Sequence, residues 1–167
     1  MSEAGAESLG TDLAQVLQTH FERLEDALRV LPPQDLWWRP HEQCLSMGMI
    51  LLHLEGNLGQ WIMAGFGGSQ DTRQRSSEFA GSPAGNSDEL LQALTKTHSR
   101  AVALMKAVPD SALKEQRMIQ GFQLSTQGAL LHVVEHFSWH VGQAVWIAKA
   151  RAGEGHGLRF YDDDQLA

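Results

Sequence analysis

The sequence predicts an all-α fold of four long helices. Four segments carry apolar residues at helical spacing, and no segment alternates apolar and polar residues over a sustained length. Each of the four segments ends at proline or glycine, which are the usual residues at helix ends. Because 167 residues is the size of one ordinary domain, we expect a single domain over 1-167. Its core is expected at about 9-150 and a short C-terminal tail at 153-167.

The first two helices are predicted by stripes of leucine, isoleucine and aromatic residues. The first runs from about Thr11, a candidate N-cap, to Leu31, where Pro32-Pro33 stops it. The second runs from near Ser46 to about Gly65 and ends in glycine-rich sequence.

The last two helices carry charges that suit the helix dipole. The third begins at Ser87, has two acidic residues in its first turn, and ends before Pro109. The fourth extends from about Thr126 to Ala152, and Gly153 follows it in the position favoured by glycine after a helix.

Two connections between the predicted helices indicate how the chain runs from one helix to the next. The long polar connection 66–86 separates the second and third helices. A connection of this length can return the chain along the full length of a helix, so the second and third helices are allowed to run parallel. The apolar residues of 114–125 fit no helix face, and we expect an extended or irregular link there.

Charge and cysteine content exclude several classes of protein. A net charge of -7 and a pI near 5.5 argue against a nucleic-acid-binding surface. Cys44 is the single cysteine, so the chain has no intrachain disulfide, which fits a reducing compartment.

The start of the chain lacks the pattern of a signal peptide, and no run reaches the roughly 18 apolar residues of a membrane span. We expect a cytoplasmic protein without nucleic-acid or membrane partners.

Three histidines spaced by four residues interrupt the apolar last helix: His132, His136 and His140. This spacing places neighbouring imidazoles on one helix face, where two of them can bind one ion. His140 lies nearest the apolar centre of the helix, His136 lies to one side, and His132 lies at the margin. We therefore predict His136 and His140 as metal ligands and leave the role of His132 open. His53, inside an apolar run of the second helix, is the best candidate for the third ligand.

Two amides are candidates to orient these histidines by hydrogen bonding. Asn57 follows His53 by one turn, and Gln143 lies on the polar edge of the last helix. An unpaired polar group in an apolar interior costs about 1–3 kcal/mol, and a divalent ion bound to neutral imidazoles removes that cost for three rings together. The alternative is a noncatalytic cluster in which each histidine is hydrogen-bonded internally.

Three segments also carry a family resemblance: Trp37–Pro40, His53–Ile62 and His136–Gln143. They resemble the DinB-like superfamily of DinB/YfiT-like metalloenzymes, and within it a bacterial subgroup without assigned activity. The family pattern is a histidine on the second helix and two histidines four residues apart on the last helix, followed by Gly-Gln. The similarity covers about Leu9 to Ala150 and implies a four-helix bundle with up-down-down-up topology, usually as a homodimer.

The resemblance implies a class of chemistry as well as a fold. Its characterised members include thiol-dependent transferases and isomerases that use mycothiol, bacillithiol or glutathione. It therefore implies a divalent metal at His53, His136 and His140, with a low-molecular-weight thiol or a small electrophile as partner. His41 departs from the pattern, because similar sequences more often have a small polar residue at this position.

A three-histidine site has an open coordination position, as catalytic sites do. All-imidazole ligation suits zinc or nickel, with cobalt a further option. Such an ion lowers the pKa of a bound water towards about 7 or stabilises a bound thiolate, which supports hydrolysis or thiol transfer.

The sequence assigns no catalytic general base. Glu55 and Glu135 are expected on exposed faces, and Trp139 and Trp146 fit a core or interface role better than a pocket. The leading hypothesis is a metal-dependent enzyme, either a thiol-dependent S-transferase or a hydrolase. The alternatives are a noncatalytic metal-binding or stress-associated protein and a helical interaction protein whose histidines are satisfied internally.

Overall fold

The computed structural model describes residues 8–80 and 85–160, and this part of the chain is mostly helical with a small two-stranded sheet. The last seven residues of the predicted tail, 161–167, lie outside it. The helices are α1 (Leu9–Val30), α2 (Met47–Leu58), α3 (Arg75–Glu78), α4 (Ser87–Lys106) and α5 (Thr126–Ala152). The strands are β1 (Gln116–Ile119) and β2 (Phe122–Ser125), and 3-10 turns occupy Pro33–Asp35 and Asp110–Ala112.

Side-chain caps set the start of each long helix. Ser8 caps α1, where its Oγ accepts a hydrogen bond from the backbone N–H of Thr11. The expected start at Thr11 was therefore wrong, because the N-cap lies three residues earlier. Asn86 and Glu89 form a reciprocal capping box at the start of α4. The predicted bounds of α5 are confirmed.

The second helix changes geometry after Leu58. Residues Gly59–Ala64 continue it as a π-helix, with one residue more in each hydrogen-bonded turn. The backbone N–H of Gly65 accordingly bonds to the carbonyl of Gln60, five residues before it. The helix predicted to about Gly65 therefore exists as two segments, and the change of pitch occurs within the stretch that carries Trp61.

A β-hairpin occupies most of the link 114–125, which was predicted to be extended or irregular, and corrects the all-α expectation. β1 and β2 pair antiparallel with Ile119 opposite Phe122, which leaves a two-residue turn. Both turn residues, Gln120 and Gly121, have positive φ angles of 54° and 81°. Positive φ at both positions matches the twist of a hairpin, but glutamine at the first is unusual, so the sequence lacked a strong turn signal. Phe122 is largely exposed, which explains the missing apolar periodicity.

The core lies among the four long helices. α1 packs against α4 and α5, and α2 packs against the same two helices. The largest fully buried side chains of the core come from all four of these helices, among them Leu17, Leu54, Leu94 and Phe137. This arrangement places α2 directly against α5, the two helices that carry the predicted metal ligands. None of the helices within 8–80 and 85–160 has the length and apolarity needed to cross a membrane.

A close backbone approach between α1 and α4 gives a test of this packing. We expect Gly10→Ala to lower the free energy of unfolding by about 1–3 kcal/mol, because the added Cβ would overlap the backbone carbonyl oxygen of Met105. Gly142→Ala is the matched control: apart from the local helix backbone, no heavy atom of the described residues lies within 4 Å of the added Cβ, and alanine favours the helix by about 0.5–1 kcal/mol. Urea unfolding measures both. Equal stability of the two variants would contradict the close approach.

A buried histidine outside the predicted site makes stability depend on pH. His98 is only 2% exposed, stacks on Phe21 at 4.1 Å, and donates to the backbone of Leu17. Burial lowers its pKa to about 4, although the hydrogen bond to Leu17 and the charge of Glu22 oppose the shift. Its Nε2 atom has no partner within the described residues.

The lowered pKa of His98 sets the sign of this dependence. The unfolded chain binds a proton near pH 6.5 that the folded chain binds only near pH 4, so folding is destabilised as the pH falls through that window. The free energy of unfolding falls as the pH falls through this window. We expect His98→Phe to remove up to about 3 kcal/mol of that decrease. Urea unfolding at pH 4.5 and 7, in chelator, measures it, with the exposed His41→Gln as control. An unchanged pH slope in His98→Phe would contradict the assignment.

Candidate metal centre

The structure brings three predicted ligands together at the contact between α2 and α5. His53 comes from α2, and His136 and His140 come from consecutive turns of α5. One ring nitrogen from each lies within 4.8 Å of the other two. The ring centroids are 4.6–4.9 Å apart. The i, i+4 spacing on α5 and the packing of α2 across it account for this cluster.

A carboxylate fixes the orientation of His53. Its Nδ1 atom lies 2.8 Å from Oε2 of Glu78, in an environment where both side chains are almost fully buried. An ionised carboxylate only accepts hydrogen bonds, so Nδ1 carries the proton and Nε2 keeps its lone pair. That Nε2 atom lies 3.0 Å from Nε2 of His136, inside the cluster.

Arg73 holds Glu78 in its ionised form. Its guanidinium donates two hydrogen bonds to the carboxylate, at 2.7 Å to Oε1 and 2.8 Å to Oε2. Burial raises the pKa of Glu78, but the hydrogen bonds from Arg73 and His53 outweigh it, and the net shift is downward. Arg73 also approaches Nδ1 of His53 at 3.2 Å, but both groups are donors there, so this contact adds no hydrogen bond.

The amide of Gln143 orients His140 in the same way. Nδ1 of His140 donates to Oε1 of Gln143 over 3.0 Å, which leaves Nε2 unprotonated. Although His140 lies nearest the apolar centre of α5 on a helical wheel, it is only partly buried. Its ring lies beside that of His53, with ring centroids 4.7 Å apart.

Burial keeps these rings neutral at physiological pH. Burial is the largest cause that lowers the pKa of His136 to about 3, and the neighbouring His140 and His53 contribute to the same shift. It lowers the pKa of His140 to about 4, with His53 acting in the same direction. A neutral imidazole has one unprotonated nitrogen with a lone pair that can bind a cation, whereas an imidazolium has none.

The donor set is compatible with a metal ion. His53 and His140 both direct an unprotonated Nε2 into the cluster, and the 3.0 Å between Nε2 of His53 and Nε2 of His136 is short enough for two zinc–nitrogen bonds of about 2.0–2.1 Å to meet at one ion. The buried Nδ1 of His136 has no partner within the described residues and is free to carry the proton that its Nε2 must give up to bind a cation.

The structure places the other predicted polar residues differently. Asn57 is buried, its Oδ1 is unpartnered, and no hydrogen bond joins it to the three histidines within the described residues. His132 packs against Trp61, with ring centroids 4.1 Å apart, and lies beside His136 at 5.7 Å. His41 is exposed and lies 3.2 Å from Sγ of Cys44, so it does not join the cluster.

The two glutamates considered as general bases lie outside the cluster. Glu55 is partly buried and accepts a hydrogen bond from Oγ1 of Thr97 on α4, so the expectation of an exposed side chain was wrong. Glu135 is exposed on α5, as expected.

Sequence reasoning missed Glu78 and Arg73. Both belong to the polar connection between α2 and α4, whose composition resembles that of a solvated loop. One local signal was available. A glycine inside a helix leaves room for another group to approach closely, and a Cβ at Gly56 would lie 2.5 Å from Oε1 of Glu78.

An apolar pocket of about 560 Å³ lies against α5 beside Gln143, and none of the three histidines lines it. Trp139 and Trp146 form part of its wall and are 67% and 57% exposed, so neither is a core residue. Gln143 lines the same pocket and bonds to His140, and therefore connects the pocket to the histidines. The remaining lining residues are Pro40, Gln43, Cys44, Leu45, Gly142 and Ile147.

Comparisons with known proteins identify a family and a shared fold. The family described as "Protein of unknown function (DUF1572)" matches residues 7–157. A solved structure, "Crystal structure of the conserved protein of locus from Enterococcus faecalis", is similar with a TM-score of 0.73. The two chains are 16% identical, and the match covers 89% of this chain and 100% of the other, which shows a common fold. No curated protein matches the sequence.

The cluster should link metal binding to stability. We expect zinc at about 1,000 times its dissociation constant to raise the free energy of unfolding by about 4 kcal/mol, because the three histidines are assembled only in the folded chain. The gain should disappear in His140→Ala and persist in His41→Ala. Urea unfolding of metal-free protein with and without zinc measures the difference. A wild-type stability that zinc leaves unchanged would contradict metal binding at the cluster.

Proposed function

This chain belongs to the family described as "Protein of unknown function (DUF1572)", and from that premise we propose that it is a metal-dependent enzyme of the wider DinB-like superfamily. The observation that carries the proposal is the convergence of His53, His136 and His140 at one point. Two of these rings have hydrogen-bond acceptors on the nitrogen that faces away from the cluster, as metal-binding histidines usually do.

The helix directions support the up-down-down-up four-helix bundle of that superfamily. Contacts between α1 and α4, and between α2 and α5, join the later residues of one helix to the earlier residues of the other, so each pair is antiparallel. Contacts of α2 and of the residues that follow it with α4 ascend together, so this pair is parallel. The contacts are Gly10 with Met105, Phe21 with His98, His53 with His136, Trp61 with His132, Glu55 with Thr97, and Gly67 with Leu104.

Each residue of the centre has a distinct task in this proposal. His53, His136 and His140 hold a divalent ion, with zinc and nickel best suited to three imidazoles. Glu78 and Gln143 keep the outward nitrogens of His53 and His140 protonated, so that the inward nitrogens stay available. When bound, the ion supplies Lewis-acid chemistry that lowers the pKa of a water or thiol it binds.

The pocket favours thiol transfer over hydrolysis. None of the described residues that line it is a carboxylate or a histidine, so the pocket offers no side chain for activating water as a general base. A thiol needs less help, because its pKa of about 8.5 is much nearer neutrality than that of water. We therefore propose a thiol-dependent S-transferase as the leading activity, with hydrolysis second.

The substrate class follows from the walls of the pocket. Trp139, Trp146, Leu45 and Ile147 make it mostly apolar. An apolar or aromatic electrophile would lie against these side chains, and Gln143 would mark the end nearest the metal. The low-molecular-weight thiol would then approach from the histidine side.

A noncatalytic metal-binding function is the second candidate, because none of the described residues that line the pocket is a general base. Such a protein would hold the ion through the three histidines but turn over no thiol or ester. An assay for turnover separates the two functions, because both predict bound metal.

Elemental analysis of untagged, chelator-free protein tests the metal. We expect about one metal ion per chain in the wild type and in His41→Ala, and its loss in His53→Ala, His136→Ala and His140→Ala, since each removes one of three ligands. Circular dichroism in chelator checks that the variants stay folded. Wild-type protein that holds no metal, even after reconstitution with zinc or nickel, would overturn the proposal.

A substrate screen tests catalysis. We expect zinc- or nickel-loaded wild type to consume glutathione, bacillithiol or mycothiol in the presence of an apolar electrophile, with loss of the free thiol as readout. His136→Ala should show only the uncatalysed rate. Metal-loaded wild type that turns over neither thiols nor esters would favour the noncatalytic function.

A further inference from the structure

We propose that Glu78, held by Arg73, is a positioning residue that presents His53 to the metal. The two residues and their hydrogen bonds to each other are called the clamp below. This inference rests on the proposed metal centre. It adds a role in that centre for the connection between α2 and α4. Glu78 acts through His53 and does not itself touch the reacting atoms.

The clamp is a closed set of hydrogen bonds around one carboxylate. Oε1 of Glu78 accepts from Nε of Arg73 at 2.7 Å, and Oε2 accepts from Nη2 of Arg73 at 2.8 Å and from Nδ1 of His53 at 2.8 Å. The side chains of all three residues are at most 8% exposed. Two-point contact between a guanidinium and a carboxylate fixes the carboxylate plane, and therefore the direction from which His53 is held.

A second set of hydrogen bonds attaches the clamp to the second helix. Nη1 of Arg73 donates to Oε1 of Gln60 at 3.0 Å, and Nε2 of Gln60 donates to Asp71 at 2.8 Å. Gln60 lies in the π-helix that continues α2. The clamp is thereby attached to the same helical segment that carries His53, at two places about two turns apart.

The energetics favour a role for the carboxylate beyond holding the connection in place. Burying an ionised pair gives little or no net stability compared with apolar packing, because both charges lose their hydration. A connection could be anchored more cheaply by apolar side chains. A carboxylate on the outer nitrogen of a histidine does what an apolar group cannot, since it fixes the tautomer and strengthens the inner nitrogen as a metal ligand.

Gly56 is the position on α2 that permits the clamp to form. A Cβ there would lie 2.5 Å from Oε1 of Glu78 and 3.0 Å from Nε of Arg73, so any larger residue would push the clamp away from His53. Gly59, one turn later on the same segment, has no heavy atom within 4 Å of the corresponding Cβ. The two glycines thus form a matched pair for testing the clamp without changing any of its charges.

The clamp also couples the connection to the metal. Any change that displaces Arg73 and Glu78 from α2 releases the ring of His53 and weakens metal binding. By linkage, metal binding stabilises the docked connection to the same extent. The metal centre therefore includes a segment that supplies none of its three ligands.

The experiment compares wild type with Glu78→Gln, Gly56→Ala and Gly59→Ala. Competition with a chromophoric chelator measures the zinc dissociation constant, and ¹⁵N NMR of metal-free protein reports which ring nitrogen of His53 is protonated. We expect Glu78→Gln and Gly56→Ala to weaken zinc binding about 10–100-fold, and Gly59→Ala to leave it at the wild-type value. The wild type and Gly59→Ala should show the proton of His53 on Nδ1, whereas the other two variants should show a mixture of tautomers.

The outcomes separate this inference from the proposed function. Wild type that binds no zinc would overturn the metal centre itself. Wild type that binds zinc, with Glu78→Gln and Gly56→Ala binding equally well, would overturn the clamp alone. Weakened binding with the His53 tautomer unchanged would also overturn it, because Glu78 would then only hold the connection. If Glu78→Gln fails to fold in chelator, Gly56→Ala, which keeps both charges, decides.

Discussion

The contact between His53 and His136 is the constraint on which the rest of the centre depends. It places polar rings where α2 and α5 pack together, in a setting that strongly disfavours charge. Burial disfavours the charged form of His136 and of His140, and a buried ring nitrogen needs a partner. The outward nitrogens of His53 and His140 obtain theirs from Glu78 and Gln143, the outward Nδ1 of His136 has none within the described residues, and the inward nitrogens face one another. A cation in the cluster would replace the hydrogen bond between His136 and His53 and give every inward nitrogen a partner.

The two outer partners differ in how the chain supplies them. Gln143 follows His140 by three residues on one helix, so its position requires only that α5 forms. Glu78 lies 25 residues from His53 and reaches it only because the connection folds back onto α2 and Gly56 leaves room. The centre therefore combines a rigid helical half with a half that depends on a docked connection.

Local signals explain where the sequence predictions succeeded and where they were wrong. The bounds of α5 follow from a serine cap at Ser125 and a glycine with positive φ at Gly153, both readable from neighbouring residues. The hairpin was missed because its turn uses Gln120 at positive φ, and because its exposed apolar residues resemble neither a core strand nor a helix face. The π-helix was missed because glycine-containing helical sequence does not distinguish the two hydrogen-bond patterns.

The sequence by itself determined the long helices and the three histidines, since helical periodicity, caps and four-residue spacing are local properties of the chain. Only the tertiary structure decided that Glu78 and Arg73 complete the surroundings of His53, that Asn57 does not, and that Trp139 and Trp146 line a pocket. The physical reason is that a hydrogen bond across 25 residues depends on the path of the whole connection. No periodic pattern within that connection encodes its path.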